Sequence, residues 1–126
     1  MPERAHELDA GYDIRTPKKF GILGHSFETI NTGVHVQIPA GYVGFLKSKS
    51  GLNVKNSITG EGVIDAGYTG SIKVKLYCND RYGKEFKRGD KIIQLVILPI
   101  YTPELELTDS LEDTERGNNG FGSSGR

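Results

Sequence analysis

The chain has 126 residues, of which 36% are hydrophobic and 25% charged, and this size and composition favour one folded domain with a single core. Its 16 basic and 16 acidic side chains leave no formal net charge, which argues against stable binding to nucleic acid or to an anionic membrane. The single cysteine, Cys78, excludes an intrachain disulfide, and the chain lacks the apolar run of a signal peptide or membrane span, so we expect a cytoplasmic protein.

The first part of the chain predicts short β-strands. They cover 12–15, 27–31, 34–38 and 43–47. Over 34–38, Val34, Val36 and Ile38 alternate with polar residues, which is the period of a half-buried strand. Asp13 places an acid within the first strand, where it suits either a structural ion pair or the orientation of a hydrated metal ion.

A short helix is predicted over 51–55, directly after the sequence Ser48-Lys49-Ser50-Gly51. We expect Ser50 to be its N-cap residue, because a serine hydroxyl can accept a hydrogen bond from the first turn. The same hydroxyl, the free backbone N–H groups and the lysine could instead contact phosphate oxygens. The residues alone leave both interpretations open.

The glycine-flanked segment 60–70 predicts a hairpin that includes a strand over 63–65. It presents a carboxylate, Asp65, and three residues later an aromatic ring, Tyr68. Gly60 and Gly62 would let a planar ligand approach the bare backbone. The alternative is structural, with Asp65 as a turn residue and Tyr68 as an ordinary strand aromatic.

The second part of the chain continues the strand pattern over 72–78, 92–98 and 105–108. Apolar residues alternate over 72–78, whereas 92–98 is apolar on both faces apart from Gln94. That pattern predicts a central strand, entered through a turn at 88–90. The amide of Gln94 must be satisfied there by backbone groups or by a ligand oxygen.

The last eleven residues, 116–126, combine Arg116, Phe121, Ser123 and Ser124 with four glycines. Such a segment has too few apolar residues for a core of its own and is predicted to be a flexible arm. It could close over a ligand by stacking an aromatic ring and gripping an anion, or it could be a plain flexible tail. We therefore divide the chain into a β domain over 1–115 and an arm over 116–126.

Taken together, short strands separated by glycine and proline turns predict an all-β fold, a jelly-roll-like barrel or sandwich with at most one short helix. Five segments in order resemble the five motifs of the trimeric dUTP pyrophosphatase (dUTPase) family. They are AGYDI at 10–14, KSGL at 49–52, GVIDAGYTG at 62–70, GDKIIQL at 89–95 and RGNNGFGSSG at 116–125.

The resemblance implies a homotrimer with shared active sites, in which one chain's arm closes over a site formed by two others. It also implies Mg2+-dependent hydrolysis of dUTP to dUMP and pyrophosphate, which limits uracil in DNA and supplies dUMP. By motif, Asp65 would be the general base and Asp13 would help to place Mg2+ through water. The substrate-binding residues would be Ser50, Gly51, Gly62, Val63, Ile64, Tyr68, Gln94, Arg116, Phe121, Gly122, Ser123 and Ser124, with Lys49 as a further phosphate contact.

The chemistry of these residues agrees with such roles. Backbone groups around 62–64 could pair with the donor and acceptor edge of uracil and refuse cytosine. Tyr68 packed under the sugar would leave no room for a 2′-hydroxyl. Phe121 would cover the face of the base, while Arg116 and the two serines would reach the terminal phosphate.

Three features depart from the family pattern. Lys49 stands where the family usually has arginine, so a single ammonium replaces a planar fork. Glu61 puts a charge beside the hairpin where a small or neutral residue is more usual. The chain also begins almost at the first motif, whereas relatives generally carry another strand before it, which would make Met1 an internal methionine of a longer protein.

Two alternatives remain on this scaffold. A dCTP deaminase, or a bifunctional deaminase and dUTPase, would bind a similar nucleotide, although no further acid on the hairpin suits attack at C4 of cytosine. A regulatory protein-binding module is the other alternative, with a regulatory protein as partner if the chain is viral and acts in a host cytoplasm. Intact Asp65, Tyr68 and Arg116 favour the hydrolase.

Overall fold

The structure is a computed structural model that describes residues 1–122. Within that range the chain forms nine β-strands and one short helix, which confirms the all-β prediction. The elements are β1 (Gly11–Arg15), β2 (Phe20–Ile22), β3 (Phe27–Asn31), β4 (Tyr42–Lys47), α1 (Ser50–Asn56), β5 (Ile58–Thr59), β6 (Gly62–Ile64), β7 (Lys73–Cys78), β8 (Lys84–Phe86) and β9 (Lys91–Pro99). No helix in this part of the chain is long and apolar enough to cross a membrane.

The strands form three antiparallel sheets. The largest has the order β1-β9-β4-β6, the second has the order β3-β7-β5, and β2 pairs with β8. Strand β9 lies between β1 and β4, and its residues Ile92, Ile93 and Leu95 are buried. Strand β6 pairs only with β4 and therefore forms an edge of the large sheet.

Branched aliphatic residues from all three sheets fill one core. Ile14, Ile72 and Ile93 have no solvent-accessible surface, and Phe86 is 1% exposed. The ring of Phe86 stacks on its cross-strand partner Phe20 with 4.7 Å between ring centroids, and Phe86 belongs to the same core cluster as the aliphatic residues of the larger sheets. The single core agrees with the one-domain expectation for a chain of this length.

Most predicted strands occur within one residue of their expected bounds, including β1, β3, β4, β6, β7 and β9. Two predictions were wrong: residues 34–38 and 105–108 are not strands. Burial does alternate over 34–38, since Val34 and Val36 are half-buried and Ile38 is buried. The apolar period there reflects packing on the core and not a hydrogen-bonded ladder. Over 105–108, Leu105 and Leu107 are fully exposed and pack on nothing in this chain.

The helix also differs from its prediction at the N-terminus. The N-cap residue is Lys49, which has an extended backbone and makes no side-chain capping hydrogen bond, and Ser50 is the first helical residue. The prediction that Ser50 caps the helix was therefore wrong. Its hydroxyl is not used in capping, because a cap must precede the first helical residue.

Candidate active site

A cleft of about 270 Å³ lies at the end of β6 and contains the two chemically distinctive residues of the hairpin. Strand β6 ends at the buried Ile64, so Asp65 follows directly on the exposed side of the turn. The backbone N–H of Tyr68 donates to the Asp65 carbonyl oxygen over 3.0 Å, which closes the turn and brings both side chains to the cleft. Val63, Ile64 and Lys73 complete the lining.

The backbone beside this cleft is suited to pairing with a planar ligand. Because β6 is an edge strand among the described residues, one of its sides has no neighbouring strand. Edge N–H and C=O groups are a template for further hydrogen bonds. Gly62 is also closely packed, since a Cβ there would lie 2.9 Å from Leu46 Cδ1, so a side chain at this position would require the buried Leu46 side chain to shift.

A second group of candidate residues lies on neighbouring strands of the large sheet. Asp13 on β1 is paired with Gln94 on β9, and Gln94 is paired in turn with Lys47 on β4. The Gln94 side-chain amide donates to the Ser48 carbonyl oxygen over 3.0 Å. Of the two alternatives for this amide, the backbone partner is therefore the one observed. The hydrogen bond also holds the chain just before Ser50 in place.

Ser48 links this second group to the hairpin. Its hydroxyl accepts a hydrogen bond from the Gly60 N–H over 3.0 Å and lies 3.2 Å from the Gly60 carbonyl oxygen. Gly60 is itself buried against Leu76 and Ile93, where a Cβ would lie 3.0 Å or less from their methyl groups. Gly60 therefore serves the close packing of the hairpin.

Asp13 is 4% exposed and forms ion pairs with two lysines. One oxygen accepts from Lys49, and the other lies 3.3 Å from the Lys91 ammonium. Burial alone would raise the pKa of the Asp13 carboxyl, but the hydrogen bonds and positive charges of Lys49 and Lys91 together hold that pKa below its ordinary value of 3.8. The structural ion pair considered for Asp13 is therefore present.

These contacts bear on how Asp13 could serve a metal ion. Direct coordination would displace a lysine, whereas contact through a water molecule would leave the two ion pairs in place. Across residues 1–122 no group of three His, Cys, Asp or Glu side chains is placed to hold a metal. Mg2+ commonly keeps several waters and takes its other ligands from one or two carboxylates and from substrate phosphates. The residues present fit that mode of binding.

The two groups lie at opposite ends of the same strands. Gly44 pairs with Ile64, so Asp65 lies one position beyond that pair, while Ser48 meets Gly60 at the other end of β4. Asp65 is thus about five residue positions from Ser48, or roughly 16 Å at 3.3 Å per residue. Within one chain, a phosphate held near Ser50 would be out of reach of the Asp65 carboxylate.

Residues 116–122, the described part of the arm, do not line the cleft of their own chain. The Phe121 side chain is fully exposed, and the Arg116 Nε–H donates to the carbonyl oxygen of Asn119 within the arm over 2.5 Å. Gly122 is the last described residue, and the predicted contacts of Ser123 and Ser124 lie outside the described residues. Closure of the arm over a site stays a prediction.

The structure also places residues that the sequence reasoning did not assign. Lys73 lines the Asp65 cleft, although β-strand alternation alone marks it only as an outward residue of β7. Lys91 pairs with Asp13, a contact that depends on the register of β1 and β9. Glu61, whose direction was open, forms an exposed ion pair with Lys47 at 3.0 Å. Its charge therefore faces Lys47.

The chain is similar to known proteins over nearly its whole length. The family model described as dUTPase matches residues 1–125. The deoxyuridine 5′-triphosphate nucleotidohydrolase of Tropheryma whipplei (strain Twist) is 40% identical over 129 residues, covering 99% of this chain and 88% of that protein.

Solved structures show the same likeness. The Staphylococcus bacteriophage 80alpha dUTPase, solved with dUPNHPP, superposes with a TM-score of 0.90 at 35% identity, covering 100% of this chain and 92% of the phage protein. That work describes phage dUTPases as controlling transfer of virulence genes by a G protein-like mechanism. A variant dUTPase from phage phi11 of S. aureus, which coordinates a structural Mg(II) ion, has a TM-score of 0.82 at 35% identity and covers 90% of this chain and 92% of its own. The chain belongs to the dUTPase family.

Proposed function

We propose that this chain hydrolyses dUTP to dUMP and pyrophosphate by attack of water on the α-phosphorus, with Mg2+ as cofactor. The observation that carries the proposal is the cleft at the end of β6. It combines an edge strand for a base, the Tyr68 ring for a sugar and the exposed Asp65 carboxylate for a water molecule. Membership of the dUTPase family supports the same substrate, and neither alternative function is favoured.

The edge strand accounts for base selection. Uracil offers an N–H donor between two carbonyl acceptors, and the backbone of 62–64 can present the complementary groups on its free side. Cytosine reverses part of that pattern and would leave backbone groups unpaired, which lowers its transition-state binding. Thymine would bring a methyl group against the same backbone. The Tyr68 ring, placed under the sugar, would exclude the 2′-hydroxyl of UTP.

Asp65 is proposed as the general base. Its side chain is exposed at the cleft, so it can accept a proton from a water molecule aimed at the α-phosphorus. Ser50, Gly51 and Gln94 would position the phosphates, and Lys49 would add a positive charge beside them. When bound, Mg2+ would neutralise charge on the phosphates, with Asp13 holding its hydration shell in place. Arg116, Phe121, Gly122, Ser123 and Ser124 would complete the site as the arm closes.

A homotrimer with shared sites is part of this proposal. Asp65 lies roughly 16 Å from Ser48 of its own chain, beside the proposed phosphate residues, counted along the strands at 3.3 Å per residue. A complete site would therefore combine the hairpin of one chain with the Ser50 region of a second. In the described part of the arm Phe121 is fully exposed and Arg116 bonds to Asn119 of the same segment, so the arm that completes the site could come from a third chain.

The proposal is tested by measuring pyrophosphate release from dUTP, dCTP, dTTP and UTP with Mg2+. We expect turnover of dUTP and a large preference for it over the other three. Release of ammonia from dCTP without pyrophosphate from dUTP would instead support the deaminase. Asp65→Asn should bind dUTP but lose at least about 10²-fold in turnover, because the amide cannot accept the proton.

A control for the Asp65 substitution is Asp80→Asn, which changes a carboxylate outside the cleft. Hydrogen bonding from the Tyr82 N–H, opposed in part by burial, contributes most to holding the pKa of Asp80 below its ordinary value, and this role is local to its own loop. Turnover by the Asp65 variant equal to that of the Asp80 variant would remove Asp65 from the role of general base.

A further inference from the structure

The Tyr68 ring rests on a defined seat, formed by Gly70 and Ser71 and held by Asn31. We propose that Gly70 and Asn31 are positioning residues. They fix the orientation of the Tyr68 ring and thereby determine how strongly the site selects a deoxyribose over a ribose nucleotide. The inference rests on the proposed function for the substrate it names. The seat itself is a property of the folded chain.

Gly70 provides the surface on which the ring lies. A Cβ at this position would be 2.7 Å from the Tyr68 hydroxyl oxygen, 2.8 Å from Cζ and 3.0 Å from Cε1. These distances are shorter than real Cβ atoms tolerate, so even a methyl group would displace the ring. The ring can therefore occupy its position against the backbone only because residue 70 has no side chain.

Ser71 fixes the far end of the same ring. The Tyr68 hydroxyl donates to the Ser71 carbonyl oxygen over 2.6 Å. A ring anchored at its hydroxyl and supported along one edge can neither tilt nor slide without breaking a hydrogen bond. Half of the residue remains available to the cleft, since Tyr68 is 43% exposed.

Asn31 and Gly33 hold Ser71 from the neighbouring strand. The Ser71 hydroxyl donates to Asn31 Oδ1 and accepts from the Gly33 N–H over 3.0 Å. Gly33 has a φ of +70°, a conformation that glycine adopts without strain. These two bonds use the hydroxyl as both donor and acceptor, so its direction is determined.

The residues that follow Asn31 secure both flanks of the seat. The His35 Nδ1–H donates to the Thr69 carbonyl oxygen over 2.9 Å. On the other side, the Thr32 hydroxyl donates to the Ile72 carbonyl oxygen over 2.6 Å. The segment from Asn31 to His35 thus contacts the backbone of Thr69 and Ile72 and the hydroxyl of Ser71, while Gly70 provides the contact with the ring.

Rigidity of the ring matters for the chemistry. A compliant apolar pocket rejects an added hydroxyl by only about 10²-fold, because the pocket can relax around it. A ring that cannot move keeps the space under C2′ closed and turns the added oxygen of a ribose into a clash. The hydrogen bonds behind Tyr68 therefore control the selectivity that Tyr68 exerts.

The experiment compares kcat/KM for UTP and dUTP in Gly70→Ala, Asn31→Ala and Tyr68→Phe. We expect the UTP-to-dUTP ratio to rise about ten-fold in Gly70→Ala, which moves the ring, and several-fold in the other two, which free it. Asn31→Asp keeps an oxygen that can accept from the Ser71 hydroxyl, so its UTP-to-dUTP ratio should remain close to that of the wild type. Gly67→Ala is the matched control, because a Cβ there meets nothing within 4 Å.

Ring dynamics give a readout that does not depend on activity. The flip rate of the Tyr68 ring, measured by NMR on the free protein, should rise in Asn31→Ala and stay unchanged in Gly67→Ala. If Gly70→Ala does not fold, Asn31→Ala and Tyr68→Phe carry the same test. Unchanged UTP-to-dUTP ratios and unchanged flip rates in folded variants would show that Gly70 and Asn31 do not position the Tyr68 ring. Wild-type protein without dUTP turnover, but with the expected change in flip rate, would refute the proposed function and leave the seat in place.

Discussion

Replacing Asp13 by asparagine should destabilise the chain even when no metal or nucleotide is present. The side chain is 4% exposed, and its two oxygens face the ammonium groups of Lys49 and Lys91. Asparagine has nearly the same shape but carries no charge. The variant therefore leaves two lysines side by side without the carboxylate that neutralises one of them.

The magnitude follows from the exposure of the partners. Removing one member of a fully buried ion pair costs about 3–5 kcal/mol, because the remaining charge cannot be solvated. Here the side chains of Lys49 and Lys91 are 26% and 34% exposed, so their ammonium groups can recover part of their hydration. The asparagine oxygen can also accept one hydrogen bond. We expect a loss of about 1–3 kcal/mol in the free energy of unfolding.

The measurement is urea unfolding at fixed protein concentration, since association would otherwise contribute to stability. Glu3→Gln is the control: Glu3 pairs with Arg15 at 3.3 Å but is 64% exposed, and we expect it to change stability by no more than about 0.5 kcal/mol. If Asp13→Asn matches this control without Mg2+ and loses stability only with Mg2+ and nucleotide, the ion-pair reasoning is wrong.

The pH dependence provides a second check on Asp13. Its pKa is lowered in the folded state below the ordinary value of 3.8, so the unfolded chain binds the proton more readily. The stabilisation is therefore fully present above that ordinary value and is lost as pH falls through the folded pKa. We expect the wild-type and Asp13→Asn stabilities to differ equally at about pH 7 and pH 5, and to converge only below about pH 4. Convergence already at pH 5 would contradict the lowered pKa.

Two further outcomes follow from the fold. Ile93→Ala removes a fully buried side chain in the central strand and should cost about 2–5 kcal/mol of unfolding free energy in urea, depending on how far the cavity collapses; a cost below about 1 kcal/mol would mean that β9 does not pack as described. Deletion of 116–126 should leave the melting temperature and oligomer mass unchanged, because the arm has too few apolar residues for a core and its one aromatic side chain, Phe121, is fully exposed, while dUTP turnover should fall by about 10²-fold or more as substrate positioning is lost. Full turnover by the truncated protein would show that the arm has no role in catalysis and is a flexible tail.

The strands that could be predicted are those whose local pattern and tertiary role agree. Strand β7 alternates between exposed and buried residues, and in β9 the consecutive residues Ile92 and Ile93, which point to opposite faces of the sheet, are both buried. The segment 34–38 shows the same period and similar burial but has no ladder. Among residues 1–122, the segment makes one backbone–backbone hydrogen bond, in which the N–H of Ile72, just before β7, donates to the Val34 carbonyl oxygen over 2.8 Å. Period two therefore reports which side chains are buried, and it does not report whether a neighbouring strand is present.

Short strands were missed for the opposite reason. Strands β2, β5 and β8 contain two or three residues each, which is too short for a period to register. The β2-β8 pair depends on Phe20 meeting Phe86, a contact between residues far apart in sequence. Such pairs are decided by the packing of the whole core, and the local sequence carries little sign of them.

Some residues of the candidate site could also be predicted from the sequence and others could not. The proximity of Asp65 and Tyr68 could be predicted because the two residues lie in one turn of four consecutive residues. Lys73, Lys91 and the Asn31–Ser71 contact could not, since each depends on the register between strands. The residues proposed to contact the substrate could be named from the motifs. The contacts that Lys73, Lys91 and Asn31 make could be identified only from the structure.

Lys49, which stands where the family usually has arginine, is both a proposed phosphate contact and a partner of Asp13. Its ammonium is committed to Asp13, whereas the planar fork of an arginine has several N–H groups and can bind a carboxylate and a phosphate together. A lysine with a single ammonium must divide its donors between the two partners. The second lysine offsets this loss, because Lys91 also contacts Asp13. One carboxylate between two ammonium groups leaves one net positive charge next to Ser50 and Gln94, which is the electrostatic condition that a bound phosphate chain requires.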